Sequence, residues 1–181
     1  HLVRHQIDKL LALRHREPQH ERALAHQHHP RRRLPVAGLA ALADVYQRQL
    51  APAPLAEVVG WLRNLDRKPW SLEIPYETGG DVRPMFPDLV VVRKVGSDFA
   101  IDILEPHDPS LSDNFEKAVG LAKFAEKHGA LFGRIQLIRK QSSAGGEHFA
   151  RLEINQAATI KKLLLITSNP QLDDLFAVAS K

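Results

Sequence analysis

Two short apolar runs, joined by a small polar turn, lie in the middle of the chain at residues 87–107. Three consecutive valines (90–92) lead the first run, and phenylalanine, isoleucine and leucine fill much of the second (99–104). Because β-branched and aromatic side chains fit a pleated, half-buried surface, both runs are typical of strands. The glycine and small polar residues at positions 95–98 favour a tight turn. The pattern therefore predicts a β-hairpin at the centre of the fold.

Polar residues lie at the open ends of this predicted hairpin. Strand side chains alternate between the two faces of a sheet, so Glu105 and His107 share one face and Asp102 lies on the other. If the turn closes at residues 95–98, the register brings Asp88, at the start of the first strand, close to Glu105. The sequence thus predicts two carboxylates that meet where two core strands end.

The rest of the chain switches between helical and strand-like patterns. Apolar residues recur at helical spacing where helices are predicted, and they alternate with polar residues where strands are predicted. The predicted helices cover residues 35–50, 55–66, 112–128, 156–166 and 171–179, and the further strands cover residues 70–76, 133–139 and 149–154. The strand–helix–strand unit of residues 99–138 implies a crossover between parallel strands. We therefore expect an α/β fold, with a mixed β-sheet flanked by helices.

The composition fits one globular domain, alone or with an appendage. The chain has 181 residues, 44% of them hydrophobic and 25% charged, which allows a core of ordinary size. The absence of cysteine excludes disulfides and thiolate metal sites and fits a reducing compartment. The sequence has no apolar run of bilayer length and no secretory signal, so we expect a cytoplasmic protein without membrane partners. The net charge of +4 is compatible with nucleic acid but does not require it.

The first 34 residues differ from the rest of the chain. Seven of the ten histidines fall within residues 1–29, and three arginines follow at positions 31–33. Three interpretations stay open: a basic arm on nucleic-acid phosphates, a histidine-rich metal tract, and a solvated helix and linker. Because the chain begins with histidine rather than methionine, we expect residues 1–52 to be a helical N-terminal extension left from a longer chain. Residues 53–181 are then the domain proper.

The predicted carboxylate pair, Asp88 and Glu105, suggests metal chemistry. Two carboxylates brought together repel each other unless a cation lies between them. Oxygen ligands of this kind suit Mg²⁺ or Mn²⁺, and the backbone carbonyl of Pro106 adds a further oxygen. Such an ion stabilises charge on a phosphodiester and activates an attacking water molecule. His107, on the same face as Glu105, is placed to position that water as a neighbouring base.

These residues resemble the PD-(D/E)xK nuclease superfamily, which has the restriction-endonuclease-like fold. Pro87-Asp88 matches the PD at the start of the second core strand, and residues 105–107 match (D/E)xK at the end of the third. The helix and strand predicted over residues 112–139 follow the order of the family core. The resemblance covers about residues 55–140 and implies a Mg²⁺- or Mn²⁺-dependent DNA endonuclease domain of this fold.

Residues 102–129 look more specifically like the C-terminal segment of DEAD/DEAH-box helicases grouped with type III restriction enzymes. The ATP-binding loop G-x-x-x-x-G-K-[ST] does not occur in the sequence. The resemblance therefore implies an upstream helicase domain in the same polypeptide. It further implies DNA, a methyltransferase or other partner subunit, or a second copy of the chain as partners.

His107 is the point where the sequence departs from the family, which has lysine there. Imidazole carries no permanent charge at neutral pH, so Lys117, early in the following helix, is the alternative source of that charge. The residues expected to contact the DNA backbone are Arg93, Lys94, Arg139 and Lys140.

Three further acidic residues have possible roles, and two other functions are compatible with the sequence. Glu73 is an alternative third acid, whereas Asp102 is expected to be a helix-facing or edge carboxylate and Asp108 a loop cap. The first alternative function is a non-catalytic module of the same fold that binds DNA or docks a partner subunit. The second is a structural oligomerisation domain of a larger motor protein.

Overall fold

The computed structural model describes residues 56–143 and 146–179 and shows a mixed α/β fold. The strands are β1 (Ala56–Arg63), β2 (Ile74–Thr78), β3 (Asp81–Met85), β4 (Leu89–Val95), β5 (Asp98–Pro106), β6 (Arg134–Ser143) and β7 (Gly146–Glu153). The helices are α1 (Asn114–His128), α2 (Ala157–Leu163) and α3 (Asn169–Ala179), with a short 3₁₀ turn at Gly129–Leu131. None of the described helices is long and apolar enough to span a membrane. The predicted helix at 35–50, the N-terminal arm and the boundary at residue 52 lie outside the described residues.

Five strands form the central sheet in the order β1–β4–β5–β6–β7. The first three form an antiparallel meander, α1 then crosses over, and β6 runs parallel to β5. β7 adds an antiparallel edge strand. The predicted mixed sheet with one parallel pair is therefore confirmed. β2 and β3 form a separate two-stranded sheet, which the chain makes between β1 and β4.

The central hairpin, β4 and β5, closes in the register expected from its turn. Val95 faces Asp98 across the turn, and the pairing continues in step to Leu89 and Leu104. Gly96 has a φ of 62°, in the left-handed region that side chains other than glycine rarely adopt. Glycine therefore allows the tight turn, and the turn determines which residues meet at the far end of the hairpin.

The two faces of the sheet bury different clusters. The first face, with Val90 and Ile103, belongs to the main core, to which α1 and α3 contribute Leu121 and Phe176. The second face carries a smaller cluster of Leu89, Val91, Leu104 and Ile138. Because side chains alternate along β5, Glu105 lies on the first face, the side of α1 and α3.

The helix predicted at residues 55–66 is wrong, since this segment forms β1 at the edge of the sheet. A β-bulge between Val58 and Gly60 shifts the register, so Val58 and Trp61 pack on the same second-face cluster although they are three positions apart. Apolar residues at this spacing are also the signature of a helix face. The bulge therefore gives a strand the hydrophobic pattern of a helix.

The strand predicted at residues 70–76 begins later, as β2. The buried Asn64 side chain bonds both main-chain groups of Leu72: its amide donates to the Leu72 carbonyl, and its oxygen accepts from the Leu72 N–H, each at 2.8 Å. The main-chain groups of Leu72 are thus bonded to a side chain rather than to a neighbouring strand. The pairing of β2 with β3 starts at Ile74. The partner strand β3 is missing from the prediction, because four of its five side chains are exposed and leave no alternating pattern.

The later elements agree with the prediction in place but not always in length. α1 ends at His128 as predicted, α2 stops early at Leu163, and α3 begins slightly early at Asn169. α1 approaches β2 closely because Gly120 has no side chain: a Cβ there would collide with Tyr76. This close contact packs the middle of α1 against β2.

Candidate functional site

Asp88 and Glu105 meet at the open ends of β4 and β5. The main chain of Asp88 is held on both sides. Its carbonyl accepts from the Asn64 N–H at 3.0 Å, and its own N–H donates to Glu105 Oε2 at 2.9 Å. Both acidic residues are partly buried. The hairpin register therefore brings the Glu105 carboxylate against the main chain of Asp88.

The Pro106 carbonyl lies next to this contact. Pro106 pairs with Ile138 of β6, and the following N–H, that of His107, donates to the Ile138 carbonyl at 2.6 Å. Because main-chain groups of successive strand residues point to opposite neighbours, the Pro106 carbonyl is directed away from β6, toward the end of β4. Asp88, the Glu105 carboxylate and the Pro106 carbonyl thus lie together at one strand end.

A hard divalent cation fits this donor set better than zinc does. Mg²⁺ commonly takes one or two carboxylates and fills its other positions with water and substrate phosphates. Structural and catalytic zinc sites need three or four protein ligands, and within residues 56–143 and 146–179 no group of three or more His, Asp or Glu is placed to hold a metal. The residues that could hold Mg²⁺ or Mn²⁺ are Asp88, Glu105 and, through its carbonyl, Pro106.

His107 lies beneath α3 rather than in an open cleft. Only 9% of its surface is exposed. Its ring stacks on Phe176 of α3, with the ring centroids 5.5 Å apart. Its Nε2 lies 2.6 Å from an Nη2 of Arg139. Because a guanidinium can only donate, Nε2 is the acceptor, and the imidazole proton is on Nδ1.

Burial, reinforced by the Arg139 charge, lowers the pKa of His107 from its ordinary 6.5 to about 4. The imidazole is therefore neutral at physiological pH, and its Nε2 lone pair is already engaged. His107 cannot supply the positive charge that lysine supplies in the PD-(D/E)xK superfamily. Lys117 is near enough to His107 for its positive charge to help lower the pKa of His107.

The lowered pKa of His107 predicts acid sensitivity. The unfolded chain takes up a proton near pH 6.5 but the folded chain only near pH 4, so stability is complete above pH 6.5 and falls as the pH drops toward 4. The loss amounts to about 3 kcal/mol across that window, at about 1.4 kcal/mol per pH unit. Urea unfolding from about pH 7 to about pH 4.5 measures it.

The His107→Gln variant separates this contribution from that of the other titrating groups. Glutamine can still accept from Arg139 but takes up no proton, so the free energy of unfolding should fall less steeply with acid than in the wild type. His128→Gln, at the end of α1, is the matched control and should keep the wild-type slope. Equal slopes for all three proteins would contradict the assignment.

Arg139 is buried in the middle of β6, in contact with α3. Its Nη2 lies 2.7 Å from Asp173 Oδ1, and its guanidinium carbon lies 4.3 Å from the centre of the Phe176 ring. Arg139 and His107 are thus both covered by one helix, which the sequence pattern did not associate with the site. As the structure stands, the Asp173 carboxylate of α3 occupies Arg139, for which a DNA contact was expected.

The other three residues expected to contact DNA differ in their exposure to solvent. Arg93 is buried and forms an ion pair with Asp102, to which it donates through both Nε and Nη2. Arg93 is therefore not presented to DNA, and Asp102 is its buried partner rather than a helix-facing or edge carboxylate. Lys94 and Lys140 are exposed on β4 and β6.

Lys117 lies on the first turn of α1 beside a tyrosine–carboxylate pair. Its Nζ is 3.0 Å from Asp113 Oδ1, and the Tyr76 hydroxyl donates to the other Asp113 oxygen at 2.8 Å. Burial raises the pKa of Asp113, but the hydrogen bonds from Lys117 and Tyr76 outweigh it, so the pKa is lowered overall. Asp113 thus holds the partly buried Lys117 amine in position.

The other two acidic residues considered from the sequence, Glu73 and Asp108, lie outside the candidate site. Glu73 is exposed just before β2. Asp108 accepts from the N–H and the hydroxyl of Ser110 within its loop, as expected of a loop cap. These contacts leave Asp88 and Glu105 as the carboxylates on which the candidate site depends.

Comparison with known protein families matches residues 40–181, well over half of the chain, to the YagJ family. No curated protein matches the chain, and no solved structure does.

Proposed function

The chain belongs to the YagJ family, and for it we propose a nuclease-like domain that holds a divalent cation between Asp88 and Glu105 and hydrolyses DNA phosphodiesters. One observation carries the proposal: the Glu105 carboxylate accepts from the Asp88 N–H where two core strands end. This contact places the second acid of the motif against the main chain of the first.

The order of the elements supports a restriction-endonuclease-like fold. β1, β4 and β5 are antiparallel neighbours, α1 follows, and β6 lies parallel to β5. The resemblance implies the same core order. In that order Asp88 directly precedes the second core strand and Glu105 lies near the end of the third.

The chemistry divides between the cation and the chain. Mg²⁺ or Mn²⁺ at this strand end would stabilise negative charge on a phosphodiester and activate water. Asp88, Glu105 and the Pro106 carbonyl would hold it. Lys117 supplies the permanent charge near the scissile phosphate, since His107 is neutral and bonded to Arg139. The exposed Lys94 and Lys140 contact the DNA backbone.

DNA cleavage tests the proposal. We expect the wild-type chain to nick or linearise plasmid DNA with Mg²⁺ or Mn²⁺ and not with EDTA. Glu105→Gln keeps an acceptor for the Asp88 N–H but removes the charge, and it should lower the rate by about 100-fold or more. Glu126→Gln removes an exposed carboxylate from α1 and should cleave as the wild type does. A wild-type chain that cleaves no DNA with either metal would contradict the catalytic part of the proposal.

A second candidate function is a non-catalytic module of the same fold that binds DNA or docks a partner subunit. The burial of His107, which occupies the lysine position of the motif, favours it. It predicts DNA binding that weakens with salt, without cleavage under any metal.

The wider setting follows from the resemblance. In it the domain lies in the cytoplasm, downstream of a helicase domain in the same polypeptide. The partner is a methyltransferase or other subunit, or a second copy of the chain.

A further inference from the structure

Arg139 and Asp173 form a pair that is incomplete on the arginine side. Arg139 Nη2 contacts Asp173 Oδ1 at 2.7 Å, but the buried Arg139 Nε–H has no acceptor among the described residues. A buried donor without a partner is costly, so the position calls for a further acceptor.

Arg93 in the same chain shows what a completed pair looks like. Its Nε and Nη2 both donate to the Asp102 carboxylate, one to each oxygen. Nε and Nη2 form the same edge of the guanidinium in both arginines. That edge matches the oxygens of a carboxylate or of a phosphate, which it binds with two parallel hydrogen bonds. In Arg139 only half of this edge is used.

Asp173 can be displaced without loss of the helix that carries it. Asp173 is 53% exposed at its side chain, whereas Leu172 and Phe176 anchor α3 in the main core with no exposed surface. The carboxylate can therefore rotate into solvent while the helix stays in place. This movement removes one of the two acceptors of Arg139 Nη2, the other being His107 Nε2, and an incoming anion in its place can also accept from the unpartnered Nε–H.

We infer that the Arg139 edge is a phosphate-binding subsite beside the candidate cleavage site and that Asp173 fills it as an internal competitor. The inference rests on the proposed function, because it takes a DNA phosphate as the natural ligand. Glu105 lies near the end of β5, and His107, which contacts Arg139, directly follows that strand. A DNA phosphate bound to Arg139 would therefore belong to a DNA strand that passes over Asp88 and Glu105. Asp173 thus weakens DNA binding until a phosphate replaces it.

Two charge-removing variants of α3 test the inference. Asp173→Asn takes away the competitor, whereas Asp174→Asn removes the same charge from an exposed neighbour on the same helix. Binding of a labelled DNA duplex to the full chain is measured across a salt series. Asp173→Asn should bind about 3- to 10-fold more tightly than Asp174→Asn, with a salt slope steeper by about one phosphate contact.

A second probe separates this inference from the proposed function. Inorganic phosphate should raise the melting temperature of Asp173→Asn more than that of Asp174→Asn. A gain for Asp173→Asn with phosphate but no DNA binding by any protein would keep the subsite and overturn the proposed function. Equal DNA affinities and equal phosphate responses of the two variants would overturn the subsite. A lower melting temperature of Asp173→Asn with no gain in either probe would show that Asp173 only stabilises α3.

Discussion

Replacing Asp102 with alanine is expected to lower the free energy of unfolding by about 3–5 kcal/mol, the cost of leaving a buried charge without its partner. Asp102 is fully buried, and Arg93 is nearly so. Gly133 packs directly over the pair, since a Cβ there would lie 2.5 Å from Asp102 Oδ1 and 2.6 Å from Arg93 Nη2. Once the carboxylate is gone, the arginine is left as a buried charge without its partner. Urea unfolding at neutral pH measures the loss.

Two further variants identify the cause of that loss. Asp98→Ala removes an exposed carboxylate from the start of the same strand and should change stability by less than about 0.5 kcal/mol. The double variant Arg93→Met with Asp102→Leu replaces both partners by apolar groups and should recover most of the stability. A double variant as unstable as Asp102→Ala would show that the cost comes from lost packing rather than from the unpaired charge.

The second large effect concerns Lys117, which we expect to be essential for cleavage. Lys117→Met should reduce DNA cleavage by about 100- to 1,000-fold, the range for removing one group that stabilises a developing charge. The reason is that His107 is neutral and cannot act in its place. Metal affinity should change little, since an amine is no ligand for Mg²⁺. Plasmid cleavage under saturating Mg²⁺ gives the measurement.

Lys123→Met is the matched control for Lys117. It lies on the same helix and pairs with a carboxylate of β2, Glu77, at 2.8 Å, but it is exposed. It should cleave as the wild type does. If Lys117→Met and Lys123→Met were equally active, the family's lysine would have no replacement on α1, and the non-catalytic module would be the better interpretation.

The central hairpin could be predicted because its information is local. The valine run and the turn at residues 95–98 determine the register, and the register alone brings Asp88 to Glu105. The parallel partner strand β6 was also predictable, since a helix between two strands demands a crossover. β1 was not, because its bulge spaces apolar residues as a helix does.

The surroundings of His107 depend on contacts that no local pattern reveals. Phe176 and Asp173 come from the last helix, far along the chain, and only the fold brings them over the end of β5. The sequence therefore indicates where His107 lies along the strand but not that a helix covers it. The same holds for Asp113 and Tyr76, which are 37 positions apart and together hold Lys117.

Titration calorimetry of Mn²⁺ binding to the wild-type chain and to Glu105→Gln tests the central claim most directly. The claim is that Asp88 and Glu105 together hold a divalent cation. We predict one site per wild-type chain, weakened by about tenfold or more in Glu105→Gln and unchanged in the Glu126→Gln control. The same affinity in all three proteins, or no binding to the wild type, would contradict the claim.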